Sequence, residues 1–264
     1  MTVQLPLGFR SHVANIGIKD TTDDFTLVVA DGTCSAAGVF TQSRFAGPSV
    51  VVSREHIANL SARAVVVISK NANVATGAEG MANAREIVAN VASTLNCATT
   101  EVLIASTGVI GRQYPMTNVR MGLTSIPQPC SETSADAVAR GIMTTDTVSK
   151  VAQATVSGSS SRVVGVAKGV GMIEPNMATM ISMIFTDAQL TSAELDTVFR
   201  RVVGRTFNCV SVDTDTSTND MVMAFSTGIK GKKISAASAK REFLALLTKA
   251  CQHLAKLIAA DGEG

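Results

Sequence analysis

The sequence has no tryptophan and a single tyrosine, and aromatic residues make up only 4% of its 264 positions. A surface of stacked rings, the usual grip on single-stranded nucleic acid, is therefore excluded. Charge is almost balanced: 23 Lys and Arg against 21 Asp and Glu leave a formal +2. Recognition of a phosphate backbone runs on a basic excess, which this chain lacks, so no nucleic-acid partner is expected. The five cysteines, Cys34, Cys97, Cys130, Cys209 and Cys251, form no CxxC pair. Neither a disulfide framework nor a zinc site can be drawn from that spacing; no metal is expected, and the thiols read as reduced core residues. No apolar run approaches the ~20 residues that span a bilayer. The N-terminus lacks a charged region followed by an apolar stretch. A soluble, cytoplasmic protein with no membrane partner is expected.

What is present is apolar material. Hydrophobic residues reach 46% and charged ones 17%, which excludes a disordered chain and is ample for one large domain or two small ones. Gly, Ala, Val and Thr abound, as in a tightly packed α/β enzyme. Short Val- and Ile-rich runs bounded by Gly, Asp, Asn or Ser predict strands over 26–29, 36–40, 49–53, 64–69, 101–106, 162–168, 180–186, 210–213 and 221–226. Helical spacing predicts helices over 79–96, 134–143 and 238–260, the first through Ala84, Ile87, Val88, Val91, Ala92 and Leu95. Thr191 with Glu194 reads as a capping box opening a further helix. Several strands come in succession, so the pattern favours a layered α+β architecture over a doubly wound sheet.

Four segments stand out chemically. Residues 169–184 read as a glycine-rich turn between two strands, with Thr179 at the head of the second; no GKS or GKT makes it a phosphate loop. A threonine becomes a competent nucleophile if the bond before it is cut, because the new α-amine serves as its base. Its amine pKa, near ~7.7–8.0, leaves a useful neutral fraction. Residues 104–112, with Thr107 and Gly108, run from a strand into small residues; such a turn either ends a strand or aims N–H groups at one point as an oxyanion hole. Closely spaced hydroxyls at 142–147 either bind a polar ligand or turn the chain. Residues 212–220 suggest a calcium loop but lack its glycine and terminal Glu. His12, His56 and His253 are isolated, with surface or packing roles expected.

In this order, STGVIGRQYPM (106–116), MTTDT (143–147), AKGVGMIEPNMATM (167–180), DTDTSTND (213–220) and DGEG (261–264) resemble the ornithine acetyltransferase family, also called the arginine-biosynthesis bifunctional protein family. The combination KGxGM with PNMATM is close to diagnostic. SRFAGPS (43–49), NANVATG (71–77) and Glu174 before Pro175 lean toward the antibiotic-pathway branch of the clavulanate type. The resemblance implies a layered α/β sandwich like that of N-terminal-nucleophile hydrolases, with different connectivity. It implies self-cleavage between Ala178 and Thr179, giving an α chain (1–178) and a β chain (179–264 here). Thr179 then takes acetyl from N-acetylornithine and yields it to glutamate in a ping-pong cycle. Thr107 and Gly108 are the implied oxyanion donors, and Thr144, Lys168, Thr179 and Glu263 the implied substrate contacts. Lys168 could pair a substrate carboxylate, and Glu263 could hold a substrate ammonium or help orient the amine of the nucleophile. No cofactor is implied, with acetyl-CoA an alternative donor; α and β chains are implied to pair into a heterotetramer or larger assembly.

The family's chains are longer, so the later part of the β chain, with further substrate contacts, is expected to be missing here. Two other functions are carried beside the transferase. One is a self-processing aminopeptidase or amidase that releases acyl groups to water. The other is a truncated, inactive fragment.

Overall fold

The stretch from Phe25 to Phe40 sets the architecture. In the computed structural model, which describes residues 2–18, 21–155, 161–174, 180–230 and 237–263, it is one strand of 16 residues, β2 (Phe25–Phe40). The sequence suggests two strands, 26–29 and 36–40. They are one because the exposed Asp31, Gly32 and Thr33 stay extended while the pairing register slips between Val29 and Cys34. Such a bulge bends a strand and sharpens its twist. The first half of β2 pairs antiparallel with β1 (Phe9–Ala14) and β3 (Ser61–Ile68), and the second half with β8 (Met221–Ser226).

The rest of the sheet grows from that bent strand. β4 (Val102–Ser106) runs parallel to β3, and β7 (Ile181–Thr186) parallel to β8. β6 (Arg162–Lys168) and β5 (Lys150–Thr155) follow antiparallel. The order is β4-β3-β2-β8-β7-β6-β5, with β1 beside β2 off that line.

Side-chain alternation, the period of two that any strand imposes, sorts these strands into layers. Val65 and Val67 of β3 and Leu103 and Ala105 of β4 enter an inner core. Ile181, Met183 and Phe185 of β7 and Met221, Met223 and Phe225 of β8 enter the same core from the other half. Phe185 stacks on Phe225 with ring centroids 5.5 Å apart, and Phe9 meets it edge-on at 5.1 Å. The intervening residues turn outward. Ala64, Val66 and Ile68 pack with α2 (Gly77–Leu95) and α3 (Met116–Thr124). Ile184 and Ala224 pack with α5 (Ser192–Val203) and α6 (Ala237–Ala260). Helix, sheet, sheet and helix stack in that order, which is the layered α+β class expected from the sequence.

The helices follow their sequence signals. All six residues of the 79–96 stripe are buried on α2, which closes on Asn96 in the left-handed region (φ 51°). The Thr191 hydroxyl accepts from Glu194 N at 3.3 Å, and the Glu194 carboxylate accepts from Thr191 N at 3.1 Å. The helix over 134–143 is shorter, α4 (Ala135–Gly141), capped by Ser134. Lys240–Ala260 of α6 is long and apolar enough, by length and composition, to cross a membrane. Its stripe of Phe243, Leu247, Ala250, Leu254 and Ile258 is instead spent on the core, while Lys249, Gln252, His253 and Lys256 are exposed.

Two expected strands are corrected. Residues 49–53 lie in a helix, α1 (Pro48–His56), because Pro48 at its first position fixes φ for helix entry and the two serines are taken up by tertiary bonds. Residues 210–213 form no strand; they cross as a loop tied by Val212 N to Ile173 O at 2.8 Å. The strands β1 and β5 and the helix α3 carry too few periodic apolar residues to have stood out.

Candidate active site

Six chain segments meet at one end of the layered sheet: the turn after β4, the loop after β3, the turn after β6, the head of β7, the loop before β8 and the end of α6. The turn after β4 is held most tightly. Thr107 N donates to Ile68 O at 3.0 Å, and Val109 N to Lys70 O at 3.2 Å. Gly108 between them has φ +128°, and a Cβ there would sit 2.2 Å from the Lys70 carbonyl carbon. Only glycine fits that approach. Behind the turn, the buried hydroxyls of Ser49, Ser106 and Tyr114 bond to one another. Asn219 Nδ2 donates to Ser106 O at 2.9 Å and Ala72 O at 2.6 Å.

This geometry sharpens the oxyanion expectation. The Thr107 backbone N–H is committed to Ile68, so what Thr107 offers is its hydroxyl. Lys168 Nζ donates to that hydroxyl oxygen at 3.2 Å, which leaves the hydroxyl proton free to donate elsewhere. The Gly108 N–H makes no hydrogen bond among the described residues. Two donors on adjacent residues are therefore available to a developing oxyanion.

Lys168 is almost fully buried. Burial pushes its ammonium pKa down, against the pull of Asp146 and Asp220, with Lys150 adding to the lowering and Glu263 opposing it. Asp146 organises the neighbourhood. Its Oδ1 accepts from Gly169 N at 2.7 Å and Lys150 Nζ at 2.8 Å, and its Oδ2 from Thr144 N at 3.1 Å. Lys150, with no exposed side-chain surface, also reaches Asp261 Oδ2 at 2.6 Å. Asp261 accepts from Thr147 N at 3.2 Å and from the Thr147 hydroxyl. Burial works to raise Asp146, but the Lys168 charge and these donors outweigh it and hold the carboxyl below its usual range. Burial likewise opposes, and the Lys150 and Thr147 donors prevail, at Asp261.

The end of α6 is thereby fixed. Glu263 N donates to Val170 O at 2.7 Å, and a Cβ on Gly171 would lie 2.6 Å from the Glu263 carboxylate. Thr144 and Glu263 thus sit on the same hydrogen-bonded frame as Lys168. Asp213 supports the turn from the other side: its carboxylate accepts from Ile173 N at 2.7 Å and from Met172 N.

Ala178 and Thr179, the expected cleavage site and nucleophile, lie outside the described residues. The next residue, Met180, is anchored: its N–H donates to Asp220 Oδ1 at 2.7 Å. Ser106, Thr107, Lys168, Met180, Ile181, Ser217, Asn219 and Asp220 line one small cavity there. A larger hollow of about 590 Å³, with Phe40, Arg54 and Arg200 in its wall, contains none of these groups. The histidines stay apart from the cavity: His56 Nδ1 bonds Val102 O at 2.8 Å, and His253 is exposed.

The sequence placed Thr107, Gly108, Thr144, Lys168 and Glu263 in the site, and the structure brings them to one end of the molecule. It did not mark Asp146, Lys150, Asp261, Asn219 and Asp220 as site residues. All but Lys150 lay inside the segments that stood out, yet only the fold shows which side chains in them converge. Lys150 carried no signal, because its burial depends on the end of α6 more than a hundred residues away.

The chain was compared with known families, sequences and structures. A family profile described as the ArgJ family matches residues 10–264. The arginine biosynthesis bifunctional protein ArgJ 2 of Nostoc sp. is 48% identical over 98% of this chain and 65% of its own length. The glutamate N-acetyltransferase Oat2 of Streptomyces clavuligerus is 50% identical over 100% of this chain and 65% of its own. This chain therefore spans about 65% of the length of those relatives. The solved structure of an ornithine acetyltransferase complexed with ornithine, from Mycobacterium tuberculosis, has 29% identity and a TM-score of 0.58. The match covers 96% of that solved chain and 67% of this one, about 177 of 264 residues.

Proposed function

Because the chain belongs to the ArgJ family, we propose that it acts as a glutamate N-acetyltransferase, moving acetyl from N-acetylornithine to glutamate through an ester on Thr179. The observation that carries the proposal is the convergence of the Thr107 hydroxyl, the Gly108 N–H, Lys168 and Glu263 at the end of the sheet where β7 begins, two residues after Thr179.

Self-cleavage of the Ala178–Thr179 bond comes first. It exposes an α-amine beside the Thr179 hydroxyl, and the amine is the nearest base for the hydroxyl proton. In the first half-reaction Thr179 Oγ attacks the acetyl carbonyl, and the oxyanion receives the Thr107 hydroxyl proton and the Gly108 N–H as hydrogen bonds. Lys168, bonded to Thr107 Oγ, raises that hydroxyl's strength as a donor and brings positive charge behind the oxyanion. Collapse releases ornithine and leaves acetyl-Thr179. Glutamate then attacks the ester through its amine, and the same donors serve the second tetrahedral intermediate. No cofactor enters, since the ester itself carries the acetyl group.

The substrate's charges match the frame. Glu263 supplies an exposed carboxylate for an ornithine ammonium, while Thr144, whose backbone N–H is held on Asp146, offers a half-buried side chain. Lys168 is already faced by Asp146, Asp220 and Glu263, so it contributes to a substrate carboxylate only through the ammonium hydrogens left after Thr107.

A denaturing gel with intact-mass measurement tests the premise. The wild-type chain is expected to appear as two pieces, the second beginning at Thr179, and Thr179→Ala as one. A wild-type chain that stays whole would overturn the proposal. Incubation with N-acetylornithine and glutamate separates transfer from hydrolysis: N-acetylglutamate is expected, and acetate alone would assign a self-processing amidase instead.

A further inference from the structure

Lys70 opens the loop after β3 in a conformation that a side chain rarely adopts. Its φ is +73°, in the left-handed region that favours glycine. The turn carrying Thr107 and Gly108 sets that backbone. Thr107 N donates to Ile68 O and Val109 N to Lys70 O, while Ala72 N donates back to Val109 O at 3.0 Å. Gly108 packs directly against the Lys70 carbonyl. The root of the Lys70 side chain is therefore pinned beside the Gly108 N–H. A glycine would take this backbone without strain, so a lysine held there at the edge of a site points to a use for its side chain. That side chain is half-buried, and its Nζ reaches Thr144 O at 3.5 Å. Such a contact is at the long limit of a hydrogen bond and holds the ammonium only weakly.

Among the described residues no carboxylate forms an ion pair with Lys70. The two other lysines of the site are compensated: Lys150 by Asp146 and Asp261, and Lys168 by Asp146, Asp220 and Glu263. Lys70 thus runs from the oxyanion turn to Thr144, across the mouth of the site, with its charge unmatched by the protein. An N-acetylated amino acid brings the matching anion. Its α-carboxylate is separated from the acetyl carbonyl only by the amide nitrogen and the α-carbon. With that carbonyl on the Thr107 hydroxyl and the Gly108 N–H, the carboxylate falls within reach of a flexible lysine stem rooted next to Gly108. We propose that Lys70 is the cation that holds the α-carboxylate of the amino-acid substrate, leaving Glu263 for the ammonium at the other end of ornithine; this rests on the acetyl-transfer reading above. Glutamate, as the acceptor, presents an α-carboxylate at the same distance from its amine and is held in the same way. The contact is made to a part of the substrate that does not react, so it serves binding more than the chemical step.

Two variants remove the charge in different ways. Lys70→Met keeps the length of the side chain, and Lys70→Gly suits the left-handed backbone, so a folding defect in one is not shared by the other; melting curves verify both. Steady-state transfer to glutamate is measured with N-acetylornithine, and with N-acetylputrescine as a competitor. N-acetylputrescine is N-acetylornithine without its α-carboxylate. In both variants KM for N-acetylornithine is expected to rise by about ten- to a hundredfold, the range of a lost charge-assisted bond, with kcat little changed. The inhibition constant of N-acetylputrescine is expected to stay at its wild-type value, because that molecule has nothing for Lys70 to hold. A merely structural role would weaken both molecules alike. An unchanged KM for N-acetylornithine in the folded variants, or an equal loss for N-acetylputrescine, overturns the proposal alone. A wild-type protein that transfers no acetyl to glutamate overturns the transfer reading and this proposal with it.

Discussion

Lys168 donates to the Thr107 hydroxyl oxygen, so the proton of that hydroxyl has only the cavity side left to serve. Removing it with Thr107→Ala is expected to lower kcat of acetyl transfer by roughly 10²–10³, with little change in KM, as for other lost oxyanion donors. Thr107→Ser, which keeps the hydroxyl, is expected to retain most of the rate. Steady-state kinetics on both variants check this. Lys150 belongs to the same scale but to stability. Its replacement by Met leaves Asp146 and Asp261 without their shared cation, and loss of one partner of a buried pair costs about 3–5 kcal/mol. Urea melts measure it. Both carboxyls are held below their usual range in the folded state. Their contribution is therefore complete above the unfolded carboxylate pKa of about 3.9, and it is lost as pH falls through the lower folded values. Asp261→Asn is expected to flatten the acid limb of the stability profile, read from melting temperatures across that range. These residues also show the limit of legibility. Thr107, Gly108, Lys168 and Glu263 stood in motifs whose order resembled a family, whereas Lys150 became visible only when distant segments were brought together.

Among the elements, the most periodic were the most legible. The apolar stripe of α2 and the capping box of α5 place those helices within a residue or two, because burial and capping are decided locally. Thr191→Ala is expected to cost ~1 kcal/mol by thermal melt, the usual value of an N-cap. The valine run in 49–53 misled. Three valines between two serines mimic a short strand, but the Ser53 hydroxyl donates to Ile104 O at 2.6 Å and accepts from Ile104 N at 2.7 Å, so a helix docks there on β4. Only Pro48 signalled it. The turn after β4 is equally unforgiving. Gly108→Ala is expected to displace it, since the new Cβ lies within 3 Å of Lys70 carbon and oxygen and of Asn71 N. The expected outcome is a folded protein with transfer activity reduced as far as in Thr107→Ala. An undiminished rate would remove Gly108 from the site.

At the scale of the molecule, the sheet order interleaves the two parts on either side of Thr179. β2 and β6, from before it, flank β8 and β7, from after it, with six paired residues at each junction. The Lys150 cluster adds an ionic tie between the same two parts. If the chain is cut before Thr179, the two pieces are expected to co-elute in buffer and part only in denaturant. The sequence showed the layered class through its succession of strands, but not this interleaving, which follows from the bend in β2. The account as a whole turns on Thr179 carrying the acetyl group. The most direct test is a mass spectrum of the protein exposed to N-acetylornithine without glutamate. The piece beginning at Thr179 is predicted to gain the mass of one acetyl group on Thr179 and to lose it when glutamate is added. An unmodified piece, or an acetyl group on another residue that glutamate cannot remove, would contradict it.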